Sequence, residues 1–192
     1  TTLPKPIVKL TSLTVLDLYN NKLVTLPDSI AALTALKDLN LKDNRFTTLP
    51  KPIVKLTSLT KLYLHNNKLV TLPDSMAALT ALETMYLGGN QLVTLPDSIA
   101  ALTALEKLNL FNNKFTTFPQ PIVKLTSLTE LDLDGNQLVT LPDSIAALTT
   151  LEKLYLGYNK FTTFPKPIVK LTSLTKLNLR HNQLVTLPDS MA

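Results

Sequence analysis

Apolar residues recur along the chain in one pattern with a period of 23 residues. The pattern is L-x-x-L-x-L-x-x-N-x-L, as in residues 13–23, and its only changes are Met85 and the phenylalanines 46, 115 and 161. The alternation L-x-L predicts a short β-strand with one apolar face. One such strand cannot bury that face alone, so the repetition predicts eight strands that stack to complete a shared core.

An asparagine follows each predicted strand at the same position of the pattern. Its side chain carries two hydrogen-bond donors and one acceptor, which suits the backbone of the turn after a strand. Stacked repeats would place these side chains in a buried ladder with a structural role. The predicted ladder consists of Asn21, Asn44, Asn67, Asn90, Asn113, Asn136, Asn159 and Asn182.

The segments that return from one strand to the next are of two kinds. The first reads LPDSIAALTAL, and its Pro-Asp-Ser sequence predicts the start of a short α- or 3₁₀ helix. The second reads LPKPIVKLTSL, and its two prolines favour extended or 3₁₀ backbone over a full α-turn. Helix capping explains the repeated serines of the first kind. Segments of the first kind begin at Leu26, Leu72, Leu95, Leu141 and Leu187, with serines 29, 75, 98 and 144, and those of the second kind begin at Leu3, Leu49, Phe118 and Phe164.

This repeat resembles the leucine-rich repeat family over the whole chain. The resemblance implies an α/β fold, a right-handed horseshoe-shaped solenoid. A parallel β-sheet would line its concave face, and short helices, 3₁₀ turns or extended segments its convex face. The 23-residue period and the L-P-x-x-I sequence are similar to intracellular Ras-group and scaffold proteins, and they leave the family within this class open.

We expect residues 1–192 to form a single domain of about eight repeats without a recognisable cap at either end. The sequence begins and stops inside a repeat. Solenoid ends normally carry a polar cap. The chain is therefore expected to be a piece of a longer array, or to associate end to end through its uncapped ends.

The variable positions lie on the predicted strands, whereas the return segments are nearly identical. All five tyrosines, both histidines, all four glycines and Phe111 occur at outward-facing strand positions or directly after them. Random drift would also change the exposed return segments, so this distribution favours a recognition surface, for which tyrosine is well suited. The predicted partner-binding residues are Asp17, Tyr19, Asn40, Lys61, Tyr63, His65, Tyr86, Lys107, Asn109, Phe111, Glu130, Asp132, Asp134, Lys153, Tyr155, Tyr158, Lys176, Arg180 and His181.

Three acidic residues alternate along one predicted strand, Glu130, Asp132 and Asp134. A straight strand separates them by about 7 Å, whereas a hard cation needs several oxygens that converge. The simpler explanation is that Lys107 and Lys153 of the neighbouring strands pair with Glu130. We therefore predict an acidic spot within a binding face, and neither a metal site nor a cofactor.

Composition narrows the choice of function. The absence of cysteine excludes a disulfide framework, a thiolate metal site and a cysteine nucleophile. His65 and His181 lie five repeats apart, so they cannot share a catalytic site. The net charge is +5, but lysines and aspartates alternate between the two kinds of return segment, which argues against a nucleic-acid tract. We predict a protein that is not an enzyme, does not bind nucleic acid and has no membrane span.

The sequence predicts a protein–protein interaction module that binds a protein partner through the concave face. Two alternatives stay open. One is a structural or self-assembling repeat, natural or engineered, and the other is a receptor or adhesin for glycans. The lack of cysteine and of a visible signal peptide favours the cytoplasm, but the incomplete N-terminal repeat leaves an extracellular location open.

Overall fold

Eight short parallel strands form one continuous sheet in which each strand pairs with its neighbours in sequence. The computed structural model describes residue 7 and residues 9–186, so the return segments that begin at Leu3 and Leu187 lie partly or wholly outside the described residues. This arrangement confirms the predicted solenoid of stacked repeats. The strands are β1 Val15–Asp17, β2 Asp38–Asn40, β3 Lys61–Tyr63, β4 Thr84–Tyr86, β5 Lys107–Asn109, β6 Glu130–Asp132, β7 Lys153–Tyr155 and β8 Lys176–Asn178.

The strand register aligns equivalent positions of all repeats. Leu39 lies beside Leu62, and Asp132 beside Tyr155, each pair being one repeat apart in the sequence. Every position of the repeat therefore forms a column that runs across the sheet. The middle residue of each strand points into the core, and the two flanking residues point away from it.

Each return segment between consecutive strands contains a five-residue 3₁₀ helix, in both kinds of segment. The backbone bonds follow the i to i+3 pattern of a 3₁₀ helix, as in Ile30 N–H to the oxygen of Pro27 and Leu33 N–H to that of Ile30, both 3.0 Å. Within the described residues, no helix is long and apolar enough to cross a membrane. The helices are Asp28–Ala32, Lys51–Lys55, Asp74–Ala78, Asp97–Ala101, Gln120–Lys124, Asp143–Ala147 and Lys166–Lys170.

The capping role predicted for the serines is wrong. A proline occupies the N-cap of each of these helices, and no side chain caps them. In segments of the first kind the serine is the second residue of the helix, so it does not occupy the N-cap position. Ser98 Oγ is buried without a hydrogen-bond partner among the residues described, and Ser144 Oγ instead contacts Gln120 Oε1 at 3.3 Å.

The hydrophobic core lies between the sheet and the 3₁₀ helices and runs through consecutive repeats. Each repeat contributes a strand residue such as Leu62, a turn residue such as Phe46, and a helix residue such as Ile53, all without exposed surface. Phe115 and Phe161 occupy the same column as Phe46 and are equally buried. The pattern of leucines thus defines one shared core rather than eight separate ones.

The asparagine side chains connect successive repeats through their backbone. Asn113 Oδ1 accepts a hydrogen bond from Leu92 N–H at 3.0 Å. Its Nδ2 donates to the oxygens of Leu110 and of Leu87 in the preceding repeat, both at 3.1 Å. Six of the eight asparagines are buried, from Asn44 to Asn159, whereas Asn21 is exposed.

We expect Asn113→Ala to lower the free energy of unfolding by about 2–5 kcal/mol, because it leaves several buried backbone groups without partners. Urea unfolding followed by circular dichroism measures the effect. The exposed Asn21→Ala is the matched control and should lose less than half as much. Equal losses at the two positions would show that the bonds between repeats contribute little.

We expect Ser75→Ala to change the free energy of unfolding by less than about 0.5 kcal/mol, because Ser75 makes no cap bond. Loss of a true N-cap costs about 1 kcal/mol. The same urea titration distinguishes these values. A loss near the larger value would restore the capping role to the serines.

Candidate functional site

The outward-facing side chains of the strands and of the turns that follow them form one surface, here called the sheet face. All predicted partner-binding residues lie on it, since they occupy aligned columns of β1–β8 and of the following turns. Tyr19, Phe111 and Tyr158 are 48%, 40% and 46% exposed. The register brings most of the remaining predicted residues into two groups, one on β3 and β4 and one on β5–β8.

The first group is an aromatic cluster of Tyr63, His65 and Tyr86. Their ring centroids are 5.4 Å apart for the two tyrosines, 5.2 Å for His65 and Tyr86, and 6.2 Å for Tyr63 and His65. Burial raises the pKa of both tyrosines and lowers the pKa of His65, on which the charge of Lys42 acts in the same direction. The cluster is therefore an uncharged aromatic surface at neutral pH.

The second group centres on the acidic strand β6. Glu130 forms an ion pair with Lys153 at 3.2 Å. The expected second pairing, with Lys107, is absent among residues 7 and 9–186, although Lys107 lies beside Glu130 in the register. The Glu130 carboxylate turns toward β7 and so away from β5. The predicted Lys–Glu–Lys arrangement is therefore only half formed.

Asp134 is only 5% exposed, and its carboxylate has several hydrogen-bond and ionic partners. It accepts hydrogen bonds from Gly157 N–H and from Asn178 Nδ2, the latter at 2.9 Å, and lies 3.8 Å from the Arg180 guanidinium. Burial raises the pKa of Asp134, while the Gly157 bond and the Arg180 charge oppose this effect. Asp134 therefore joins β6 to β7 and β8.

Asp132 lies between these two paired carboxylates and has a different environment. Its Oδ1 accepts from Asp134 N–H at 2.9 Å, and its Oδ2 from Asn109 Nδ2 at 2.8 Å. Burial raises the pKa of Asp132 to about 6; the hydrogen bonds lower it, and the charges of Asp134 and Glu130 raise it. Asp132 is thus a carboxylate that is short of compensating positive charge.

A concave region of about 660 Å³ lies over this group, here called the β5–β8 hollow. Asn109, Phe111, Asp132, Tyr155 and Arg180 contribute to its walls. A smaller hollow of about 410 Å³ adjoins it through Phe111 and Arg180. The larger of these two hollows therefore coincides with the acidic strand β6.

Some predicted binding residues also stabilise the turn after their strand, a role that was not among the predictions. An aspartate or asparagine at the end of the strand accepts a hydrogen bond from the backbone N–H two residues later, at 2.8–3.2 Å. This is the geometry of an Asx turn. The sequence feature that predicts it is an Asp or Asn two positions before the residue whose N–H it binds. The predicted binding residues concerned are Asp17, Asn40, Asn109 and Asp132, and Asn178, which was not among them, makes the same bond.

The position immediately before each ladder asparagine has a left-handed backbone. Its φ is 50° to 54° at the non-glycine residues, and 65° and 69° at Gly89 and Gly135. Asn, Asp and Gly tolerate this conformation best. Part of the variation predicted to serve recognition therefore reflects backbone geometry.

Tyr158 and His181 are the exceptions at this position, with φ of 50° and 52°. Their rings stack, with centroids 4.3 Å apart, and the Arg180 guanidinium lies 5.0 Å from the centre of the Tyr158 ring. Bulky residues in the left-handed region are uncommon. The stacking offsets some of the backbone cost.

Comparison with known proteins identifies the class. Models of leucine-rich repeats match residues 4–46 and 126–184, and a model of leucine-rich repeat regions matches residues 32–118. The chain belongs to the leucine-rich repeat family, as its sequence predicts. This fold is generally a non-enzymatic binding scaffold that commonly mediates protein–protein interaction. No curated protein sequence matches the chain.

Several solved leucine-rich repeat structures are similar to the chain. A leucine-rich repeat protein of Leptospira interrogans is 35% identical over the whole chain and 60% of its own length, with a TM-score of 0.70. The plant peptide hormone receptor RGFR1, in complex with RGF2, is 32% identical over 95% of the chain and 31% of its own length, with a TM-score of 0.80. The functional domain of InlJ from Listeria monocytogenes is 30% identical over 93% of the chain and 37% of its own length, with a TM-score of 0.78. The chain thus spans less than two thirds of each of these structures.

We expect Asp132 to make the free energy of unfolding depend on pH. Its pKa is about 6 in the folded chain against an ordinary value of 3.8, so the folded chain binds more protons between these values. The contribution of Asp132 to stability is therefore present below about pH 4 and is lost as the pH rises through 6, by at most about 3 kcal/mol.

Urea unfolding of the wild type and of Asp132→Asn from pH 4 to pH 7 measures this contribution, because the variant cannot ionise. The free energy of unfolding of the wild type minus that of the variant should fall as the pH rises. Glu130→Gln is the matched control on the same strand. A wild-type-minus-variant difference that is constant with pH would contradict the raised pKa.

Proposed function

We propose that the chain is a protein-recognition module that binds a protein or peptide partner through the sheet face. The observation that carries the proposal is the distribution of variation over a fixed scaffold. The return segments fold alike and differ little, whereas the sheet face presents exposed aromatic and charged side chains that differ from repeat to repeat. Parallel strands in strict register hold these side chains on a rigid support.

The aromatic cluster supplies the features of an interaction hot spot. Tyr63, His65 and Tyr86 are half-buried, contact one another and carry no charge at neutral pH. Such rings bury a large apolar area at low entropic cost and are enriched at the centres of interfaces. His65 Nδ1 is buried without a hydrogen-bond partner in the described part of the chain.

The similar structures support a protein or peptide as the partner. RGFR1 is a peptide hormone receptor in complex with RGF2. The ectodomain of the Arabidopsis thaliana receptor kinase GASSHO1, in complex with CASPARIAN STRIP INTEGRITY FACTOR 2, is 30% identical over 95% of the chain and 26% of its own length, with a TM-score of 0.70. The variable positions of this chain determine which partner it binds, so its partner differs from the peptides of these receptors.

We expect the double variant Tyr63→Ala/Tyr86→Ala to lose capture of a partner while its melting temperature changes by only a few degrees. Removal of hot-spot residues costs about 2 kcal/mol or more each in binding, a loss of at least about thirtyfold. Affinity capture from the native source, quantified by mass spectrometry, measures the loss.

Val70→Ser/Val93→Ser is the matched control, because these valines are 47% and 50% exposed and lie off the strands, two residues before the return segments that begin at Leu72 and Leu95. It should capture the same partner as the wild type. Equal capture by all three proteins would contradict recognition through the sheet face. Concentration-dependent end-to-end oligomers without any captured partner would favour a self-assembling scaffold instead, and capture of glycans alone would favour a glycan receptor.

A further inference from the structure

Positive charge is unevenly distributed over the acidic strand β6. Lys153 pairs with Glu130 at 3.2 Å, and Arg180 lies 3.8 Å from Asp134. Asp132, between them, has no cation within 4.0 Å among residues 7 and 9–186. Its oxygens are instead satisfied by an amide side chain and by a backbone N–H. Asp132 is thus the one carboxylate of this strand whose charge remains without a partner in the described structure.

The aromatic rings of the sheet face show a corresponding pattern. A cation lies over the ring of Tyr19, of Tyr155 and of Tyr158, at 5.0–5.2 Å from the centroid. Phe111 is 40% exposed, and in the described part of the chain no cation lies over it. Its ring face is therefore available to pack against the apolar stem of a basic side chain of another molecule.

Asp132 and Phe111 line the same concave region, the β5–β8 hollow. We infer that this hollow receives a lysine or arginine side chain of the partner, whose cation pairs with Asp132 and whose stem packs against the Phe111 ring. The inference rests on the proposed function and specifies the chemistry of the partner. An extended basic side chain matches both features, since it combines a charged head with an apolar stem.

The remaining charged groups of the hollow leave room for this cation. Lys176 of β8 lies over the Tyr155 ring at 5.0 Å, and Arg180 is directed to Asp134 and Tyr158. On the β5 side, Asn109 is uncharged and donates to Asp132. The charges of Asp134 and Glu130 raise the pKa of Asp132. Among the residues that line the hollow, Asp132 is therefore the carboxylate left to pair with an incoming cation.

Ionisation of Asp132 couples this contact to pH. The pKa of Asp132 is about 6, so the carboxylate is charged at pH 7 and mostly neutral at pH 5. Protonation removes the attraction for a cation and should weaken binding about tenfold over this range. The other charged groups that line the hollow are Asp134, paired with Arg180, and Lys176, which lies over the Tyr155 ring; the Glu130–Lys153 pair lies beside it on β6 and β7.

The test uses three blocked tripeptides, Gly-Arg-Gly, Gly-citrulline-Gly and Gly-Glu-Gly, titrated into the ¹⁵N-labelled chain and followed by NMR. Citrulline is the uncharged counterpart of arginine with the same stem. We expect saturable shifts at the amides around Phe111 and Asp132 with the arginine peptide, and binding at least about tenfold weaker with the other two. The arginine peptide should also bind about tenfold more weakly at pH 5 than at pH 7.

Asp132→Asn should abolish both the preference for arginine and its pH dependence, because the amide keeps an oxygen for Asp134 N–H but has no charge. Glu130→Gln is the matched control and should retain both. Equal binding of arginine and citrulline, or no saturable shifts with the arginine peptide, would overturn the inference. Preference for the glutamate peptide, lost in Lys176→Ala, would assign the hollow to an anion. None of these results would affect partner capture that depends on Tyr63 and Tyr86, so the proposed function is tested separately.

Discussion

The structure depends on one constraint: the backbone groups that follow each strand find their hydrogen-bond partners partly in the neighbouring repeat. From Asn44 to Asn182, the asparagine of each repeat accepts from the preceding repeat and donates to both, as Asn113 does toward Leu92, Leu110 and Leu87. These bonds are shielded from water, so an unmade bond would carry the cost of an unsatisfied buried group. Correct stacking is therefore required by polar groups as well as by the leucine core. Strand register, segment length and the alignment of columns follow from this constraint.

Alignment of columns separates the positions that the scaffold uses from the positions that are free. The column before the ladder asparagine has a left-handed backbone, and Asp or Asn at the end of the strand binds the turn. These two demands account for many small polar residues on the sheet face. The side chains that they leave unexplained are the aromatic and charged ones, such as Tyr63, Tyr86 and Phe111. Recognition is therefore best sought in residues that have no local role, or whose local role leaves a charge unpaired as at Asp132, rather than in all variable positions alike.

The sequence predicts the repeat and its strands because the leucine pattern records burial directly. It predicts a 3₁₀ helix for the return segments as one of two options, and the three-residue spacing of buried positions such as Ile30, Leu33 and Leu36 matches it. The serine caps are wrong because proline, not serine, occupies the position before the helix. Glu130 pairs with Lys153 and not with Lys107 because of side-chain torsion angles, which the spacing of residues in the sequence does not determine. The Asx turns and the left-handed column could have been predicted from their Asp, Asn and Gly content, whereas the β5–β8 hollow required coordinates.

The stack of Tyr158 and His181 has a consequence for how this surface changes over time. Each residue holds a left-handed backbone that costs about 1 kcal/mol or more, and their contact returns about 0.5–1.5 kcal/mol. Replacing one of the two residues with asparagine relieves the backbone strain at that position. It also removes the ring contact that offsets the strain at the other position. The two positions are therefore energetically coupled across neighbouring repeats, and their substitutions are not additive. A repeat array that evolves by copying whole units would break such a pair whenever the boundary of a copy fell between them, so the pair behaves as one inherited element that spans two repeats.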